Sequence, residues 1–422
     1  MSPPGRLSQR WDASHALALG ALFIPSVGLL APLGIAPLSV LVLVLALALC
    51  WREHPWRRVS RKPLALIAAI AVWSAISASW SIDPPVALRT SLQLTVQWGS
   101  GLLLMGIAAG LREDGRRRVA IALGIGVSIG LLWLLSEGLT PGLTRYFVNL
   151  GTAPADQRAA LLLARMGRGQ TVLALLLAPT AVALWRLGYR YWAGALVALL
   201  WLGLLAGHSL ASKLGFGLAC AVFLGALVRP RATVAVLVAT MGAVVVGLPL
   251  LAFVPPPQQT LEASESWLPR SAHHRLTIWN FGAQRVLEKP LFGWGLEASR
   301  AIPGGEVELM LKAHNPLLRT ATSDGEFLLA EQQMPLHPHN AGLQVWLELG
   351  AVGIAGLVLL LALIGLRITR LADRGDVAAA AATLGVGFVV SMVSYGAWQS
   401  WWQCAMWFAA TLLATVRRAP QE

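Results

Sequence analysis

The stretch "MPLHPHNAGLQVWLELGAVG", residues 334–353, sets His337, His339 and Asn340 directly before an apolar run and places Glu348 inside it. Imidazole titrates near neutrality, so two histidines at such a boundary are candidates for moving a proton. Pro338 keeps the pair from continuing one helical turn, which separates their roles. Asn340 suits the cap of the helix that follows, because its side chain can accept one of the first unpartnered N–H groups. Glu348, about two turns into the run, fits either as a partner for an arginine or as the orienter of a polar side chain.

Three further patches carry cations. Arg165 and Arg168 stand one helical turn apart in "LLLARMGRGQTVLALLLAP", Lys213 opens "SKLGFGLA", and Arg275 opens "RLTIWNFGAQRVLEKPLFGWG". Arginine grips phosphate through a planar fork and lysine acts as a point charge, so such groups facing one cavity would suit a diphosphate. Taken singly, each also suits a snorkelling contact with lipid headgroups. His273, His274, His337 and His339 share one segment, and imidazole suits zinc, yet their spacing is unlike the familiar helical zinc pairs. Phosphate-cradling GxxxxGK[ST], paired CxxC and HExxH motifs are missing, and no metal or other cofactor is expected.

The elements that must position these groups are membrane spans. Of 422 residues 56% are hydrophobic and 13% charged, with a mean hydropathy of +0.64; this is the composition of an integral membrane protein. A span needs about 20 mainly apolar residues. Twelve segments qualify, near 15–33, 35–51, 63–80, 90–111, 118–136, 168–186, 192–208, 211–228, 232–254, 340–366, 377–396 and 398–416. No removable signal peptide is read at the N-terminus.

With both termini on the cytoplasmic side, most of the 33 basic residues fall in cytoplasmic connections such as "REHPWRRVSRK" and "LREDGRRR". The net charge of +13 is then chiefly a topology signal, and a nucleic-acid partner is not expected. The remaining cations lie on the outer side, and the longest connection, 255–339, lies there too. The chain therefore divides into spans one to nine (1–254), an outer loop (255–339) and spans ten to twelve (340–422), forming one all-α unit with the loop as a partly helical cap. Within the loop, Leu276, Trp279, Ala283, Val286 and Leu287 predict an amphipathic helix ended by Pro290. The glycines of "PLFGWG" allow backbone or ligand to come close. Cys50, Cys220 and Cys404 lie in or beside spans and imply no disulfide. The 18 tryptophans, including those of "WQSWWQCAMW", fit interfacial anchoring, with sugar stacking as a second use.

This combination resembles the O-antigen ligase and polymerase superfamily. The resemblance rests on Arg275, Trp279, Pro290, Gly293, Gly295, His339, Asn340, Glu348, Gly350 and Gly353, with "GRGQTVL" and "SLASKLGFGLA" upstream. It covers most of the chain in topology and about 80 residues in motif. It implies a bacterial inner-membrane glycosyltransferase that takes a glycan from undecaprenyl diphosphate and joins it to lipid A-core on the periplasmic face. Relatives often carry Ser-Arg where this chain has Ser212-Lys213, and lysine keeps the charge while losing the fork.

Transfer to a sugar hydroxyl needs a base, for which His339 is the candidate, with His337 as a structural or acceptor-contacting neighbour. The departing diphosphate gains negative charge that Arg168, Arg275 and Lys213 can meet, with Arg165 as the alternative to Arg168. The outer side has no DxD-like acidic cluster, which favours a metal-independent route, and a single displacement would invert the anomeric centre. An O-antigen polymerase and a protein O-oligosaccharyltransferase remain alternatives, the single dominant outer loop favouring the ligase. A secondary transporter is the alternative from another class, and would show broken helices in two matching halves with sites at the membrane midplane.

Overall fold

The structure, a computed structural model, describes residues 11–140, 155–207, 209–254, 270–313 and 327–417, with backbone alone for 138, 155–164, 270–271, 310–313 and 327–330. Parts of the long loop, 255–269 and 314–326, thus lie outside the described residues. Each apolar run forms a helix because backbone groups in a hydrocarbon layer must find partners within their own segment.

The order is α1 (Ala13–Leu30), α2 (Ile35–Cys50), α3 (Arg61–Ser77), α4 (Pro84–Ala109), α5 (Glu113–Leu139), α6 (Ala155–Arg186), α7 (Arg190–Ala206), α8 (Leu210–Val228) and α9 (Pro230–Gly247). The loop supplies α10 (Arg270–Glu288), β1 (Glu308–Ala313) and β2 (Phe327–Gln332); α11 (Ala341–Ile368), α12 (Arg374–Val393) and α13 (Ser400–Val416) complete the chain. The architecture is all-α and polytopic, as the composition requires.

Among the described residues ten helices are long and apolar enough to cross a membrane, against the twelve expected. The other two, α7 and α13, are helical where expected but hold 17 residues each. At 1.5 Å per residue they reach about 25 Å, short of a hydrocarbon core of about 30 Å. Several helices outrun their apolar cores. Asp83 caps α4 by accepting the N–H of Val86 at 3.2 Å, and Pro84 fits the first helical position, so α4 starts before its expected boundary. Helix α6 begins at Ala155, so Arg165 and Arg168 ride within it rather than at its entry. The loop, expected as a partly helical cap, also contains a small antiparallel pair, Glu308↔Gln332 to Ala313↔Phe327, which was not foreseen. Six-residue apolar runs do not reveal their period, and this one resolved as strand.

Helix α12 occupies the centre, packed by α8, α6, α9, α11 and α13. Its run of small residues, Ala378–Ala382 with Gly385 and Gly387, lets neighbouring helices approach closely. Outward-facing stripes such as Leu88, Leu92 and Val96, spaced by four on α4, are exposed and apolar, as lipid contact demands.

Two faces differ in chemistry. At one, Arg186 bridges Asp376 at 2.5 Å and also Asp373, and donates to the carbonyl of Val416 at 3.0 Å. There too Arg116 reaches the Arg417 carbonyl at 2.9 Å and Arg367 reaches Ser60 Oγ at 2.5 Å, tying the ends of α3, α5, α6, α11, α12 and α13. The opposite face gathers the starts of α8 and α11, the loop helix α10 and the α12–α13 turn. Trp51 and Trp185, at the arginine-rich ends, are exposed and fit interfacial anchoring. The tryptophans of "WQSWWQ" do not. Trp398, Trp401 and Trp402 are buried, and their indoles donate to Glu348, Gln399 and Ser391. They are core residues with a polar handle, so the anchoring and stacking expectations are corrected for this stretch.

Candidate functional site

The site grows from the turn His337–Pro338–His339. His339 adopts φ +53°, a left-handed conformation that is uncommon for any residue but glycine and is found where neighbours enforce it. Three contacts do so. Trp279 of α10 donates its indole N–H to the Pro338 carbonyl at 2.9 Å, the His339 backbone N–H donates to His337 Nδ1 at 3.2 Å, and His339 Nδ1 lies 2.7 Å from the Ser394 carbonyl. Asn340 then accepts the Leu343 N–H at 2.9 Å and caps α11.

A carbonyl can only accept, so His339 Nδ1 carries a proton and, in the neutral ring, Nε2 keeps its lone pair. Burial lowers the pKa of His339 below 6.5, helped by Arg275 and His274 and opposed by the Ser394 carbonyl. His337 goes further, down to about 3, through burial and the nearby His339 and Arg300. The two rings meet edge to face at 4.4 Å, and His337 Nε2 lies 2.9 Å from the Gln399 amide. Both histidines are neutral at pH 7.

The cations come from three helices. Arg275 stands one turn before Trp279 on α10, half-buried, and burial pulls its pKa below the usual 12.5 while leaving it charged at neutrality. Arg168 of α6 lies 5.9 Å from the ring of Trp401. Both charges act on Tyr395, whose hydroxyl is 3.2 Å from Thr171 Oγ1; burial pushes it up to about 12, against the pull of Thr171, Arg168 and Arg275. Thr171 Oγ1 also meets Ser212 Oγ at 3.0 Å, and Ser212 meets Ser209 at 2.7 Å, which fixes the start of α8 beside this group. Lys213 follows Ser212, and its backbone N–H bonds the Ser209 carbonyl at 3.2 Å. Arg165 shares the helix of Arg168 one turn earlier. Among the described residues, no carboxylate pairs with Arg168, Lys213 or Arg275, so these charges are available to an anion.

Glu348 is fully buried in α11, and among the described residues no arginine pairs with it. Its oxygens accept from the Glu297 backbone N–H at 2.6 Å, Trp398 Nε1 at 2.6 Å, Gln344 Nε2 at 3.0 Å and the Ser299 hydroxyl. Four donors make a buried carboxylate tolerable, where an unpaired one would not be.

Just beyond it α11 breaks. Gly350 takes φ +63°, ψ −162°, a region reserved for glycine. The "PLFGWG" loop fills the gap: Trp294 N–H bonds the Leu347 carbonyl at 2.8 Å, Gly295 N–H the Glu348 carbonyl at 2.9 Å, and Ala351 N–H the Pro290 carbonyl at 2.9 Å. A Cβ on Gly293 would lie 2.5 Å from the Glu348 backbone, and one on Gly350 would lie 2.4 Å from the Leu291 carbonyl oxygen. What comes close to these glycines is backbone, and the spacing of Pro290, Gly293, Gly295 and Gly350 records that pairing.

His274 is occupied elsewhere, with Nε2 2.9 Å from the Gln332 carbonyl and Nδ1 3.7 Å from Glu331. No group of three metal-ligating side chains occurs among the described residues. The sequence marks Trp398 only as an interfacial aromatic and does not single out Ser394, Tyr395 or Gln399, yet the turn 394–399 supplies all four to the site. The only sequence signal was a polar "SYGAWQS" between two apolar runs.

Comparison with known proteins converges on the same region. A family model described as O-Antigen ligase matches residues 195–358, which include Lys213, Arg275, both site histidines and Glu348. A Rickettsia conorii protein with the provisional name polysaccharide ligase is 27% identical over 362 residues, covering 83% of this chain and 80% of its own. A Rickettsia felis protein of the same provisional name is 27% identical over 407 residues, 90% and 92% of the two chains. A Rickettsia prowazekii protein so named is 32% identical over 196 residues, 46% of this chain and 44% of its own.

Proposed function

Since the chain belongs to the O-antigen ligase superfamily and is a membrane protein of the polysaccharide-ligase type, we propose that it transfers a glycan from undecaprenyl diphosphate to a sugar hydroxyl of lipid A-core. The observation that carries this reading is the imidazole of His339, its Nδ1–H committed to Ser394, standing near the guanidinium of Arg275, which no carboxylate pairs among the described residues. A base and a phosphate-binding cation side by side fit removal of a proton from an acceptor while an anion departs.

The steps balance as follows. His339 Nε2 takes the acceptor hydroxyl proton as that oxygen bonds the anomeric carbon. The bond from that carbon to the diphosphate oxygen breaks, and the electron pair leaves with undecaprenyl diphosphate. Arg275, Arg168 and Lys213 meet the charge that grows there, and one displacement inverts the anomeric centre. Side-chain cations take the place of a divalent metal, so transfer by purified protein is expected to persist in excess chelator; loss restored by added magnesium or zinc would count against this.

Orientation follows from the two faces. The arginine-rich face of Arg58, Arg116, Arg186 and Arg374 suits the cytoplasm, which supports a reading with the site on the periplasmic side of a bacterial inner membrane. The break in α11 is filled by this chain's own loop, whereas the broken helices of transporters bind cargo.

Two outcomes test the assignments. Arg275→Lys keeps the charge and loses the fork, so turnover is expected to fall about 10-fold and Arg275→Ala about 100-fold or more; equal activity of all three would remove Arg275 from the donor site. For pH, burial holds the pKa of His339 below 6.5. A base works above its pKa and fails as pH falls through it, so the acid limb of kcat/KM should lie below pH 6.5. A limb above that value would mean that another group is the base.

A further inference from the structure

We propose that Glu348 is a positioning residue that holds His339 in its working tautomer through the turn 394–399, an inference that rests on His339 being the base. Glu348 does not touch His339. It accepts Trp398 Nε1 at 2.6 Å and Gln344 Nε2 at 3.0 Å, and Gln344 Oε1 in turn accepts the Ala397 N–H at 2.8 Å. Gln403 Nε2 donates to the Ala397 carbonyl at 2.6 Å from below. The turn is therefore pinned at two consecutive residues by one fully buried carboxylate and its amide neighbour.

That turn faces the site with everything the site needs from it. Ser394 offers the carbonyl that fixes the proton on His339 Nδ1, Tyr395 meets Thr171 within reach of the charges of Arg168 and Arg275, and Gln399 meets His337. The other side of Glu348 accepts the Glu297 N–H and Ser299 hydroxyl, which belong to the loop leaving "PLFGWG". One carboxylate thus sets the half-helix after His339, the loop filling its break and the turn opposite. A neutral amide at 348 would still accept on one atom but would point donors at donors on the other, freeing the turn on one side. A shift of about 1 Å in a positioning element can cost about 100-fold in rate.

The test pairs Glu348→Gln with Trp398→Phe, which keeps an aromatic ring in place and removes the indole donor. Each is measured for kcat, donor KM, and the histidine ring by solid-state NMR with 15N-labelled histidine, His339 being assigned by its loss in His339→Asn. The expected result is a kcat lowered about 10- to 100-fold with donor KM within about twofold, and a His339 ring no longer held as the Nδ1–H tautomer. The double variant should be little worse than the worse single one, since both act on one contact. A ring that stays in the Nδ1–H form in Trp398→Phe, with kcat unchanged, overturns the proposal, and so does a loss confined to thermal stability. If the tautomer moves as expected while His339→Asn still turns over, the positioning role stands and the base assignment falls.

Discussion

Replacement of His339 by asparagine is expected to abolish glycan transfer while leaving the protein folded and able to bind undecaprenyl diphosphate. General-base catalysis contributes about 10²- to 10⁴-fold, so kcat should fall by that factor. Asparagine is the informative substitution because the backbone at 339 has φ +53°, a conformation asparagine tolerates better than alanine. A thermal midpoint near wild type separates lost chemistry from lost structure, and an affinity for the diphosphate lipid within a few-fold of wild type separates it from lost binding. His337→Ala should be milder, about 10-fold, since that ring steadies the turn by accepting the His339 N–H and is too weak a base to serve in its place. Transfer by His339→Asn at more than a tenth of the wild-type rate would show that another group takes the proton.

Replacement of Gly350 by alanine is expected to have the largest effect on the fold. Its φ of +63° with ψ −162° costs a residue with a side chain about 1–3 kcal/mol before any contact is counted. The added Cβ would then lie 2.4 Å from the Leu291 carbonyl oxygen and 2.6 Å from the Phe292 nitrogen, both backbone atoms that cannot rotate away. Relief requires expelling the "PLFGWG" loop, which leaves the carbonyls of Leu347 and Glu348 without their partners inside an apolar layer. Monodisperse protein in detergent should fall sharply, and whatever remains should melt well below wild type. Gly99→Ala, in α4 with nothing within 4 Å of the new Cβ, should be neutral or slightly stabilising. If Gly350→Ala matches Gly99→Ala in yield and melting, the inserted loop is not what holds α11 in its broken form.

The contrast between these two positions shows what sequence could and could not reveal. The spans were legible because a hydrocarbon layer demands long apolar runs, and the basic clusters at Arg57, Arg58, Arg116 and Arg186 marked one face for the same reason. Arg275, Trp279 and His339 stood out as polar groups at the mouth of an apolar protein. The break at Gly350 was hidden, because glycine inside an apolar run also occurs in an ordinary span. Only the partner strand of backbone from Pro290 to Gly295 makes that glycine obligatory, and it lies some 55 residues earlier. Ser394 acts through its main chain, which carries no sequence identity at all. Trp398 reads as an interfacial aromatic, but its indole meets Glu348, and Tyr395, whose hydroxyl meets Thr171, carries no signal of its own.

The most direct measurement of the central claim follows the anomeric configuration in a single reaction. Purified protein is given a glycan linked to undecaprenyl diphosphate together with lipid A-core, and the new linkage is read by NMR while released diphosphate lipid is counted. A neutral His339 acting as base in one displacement predicts an inverted linkage on the core sugar and one diphosphate lipid freed per glycan joined. Retained configuration, or growth of the lipid-linked glycan with the core left bare, would contradict it.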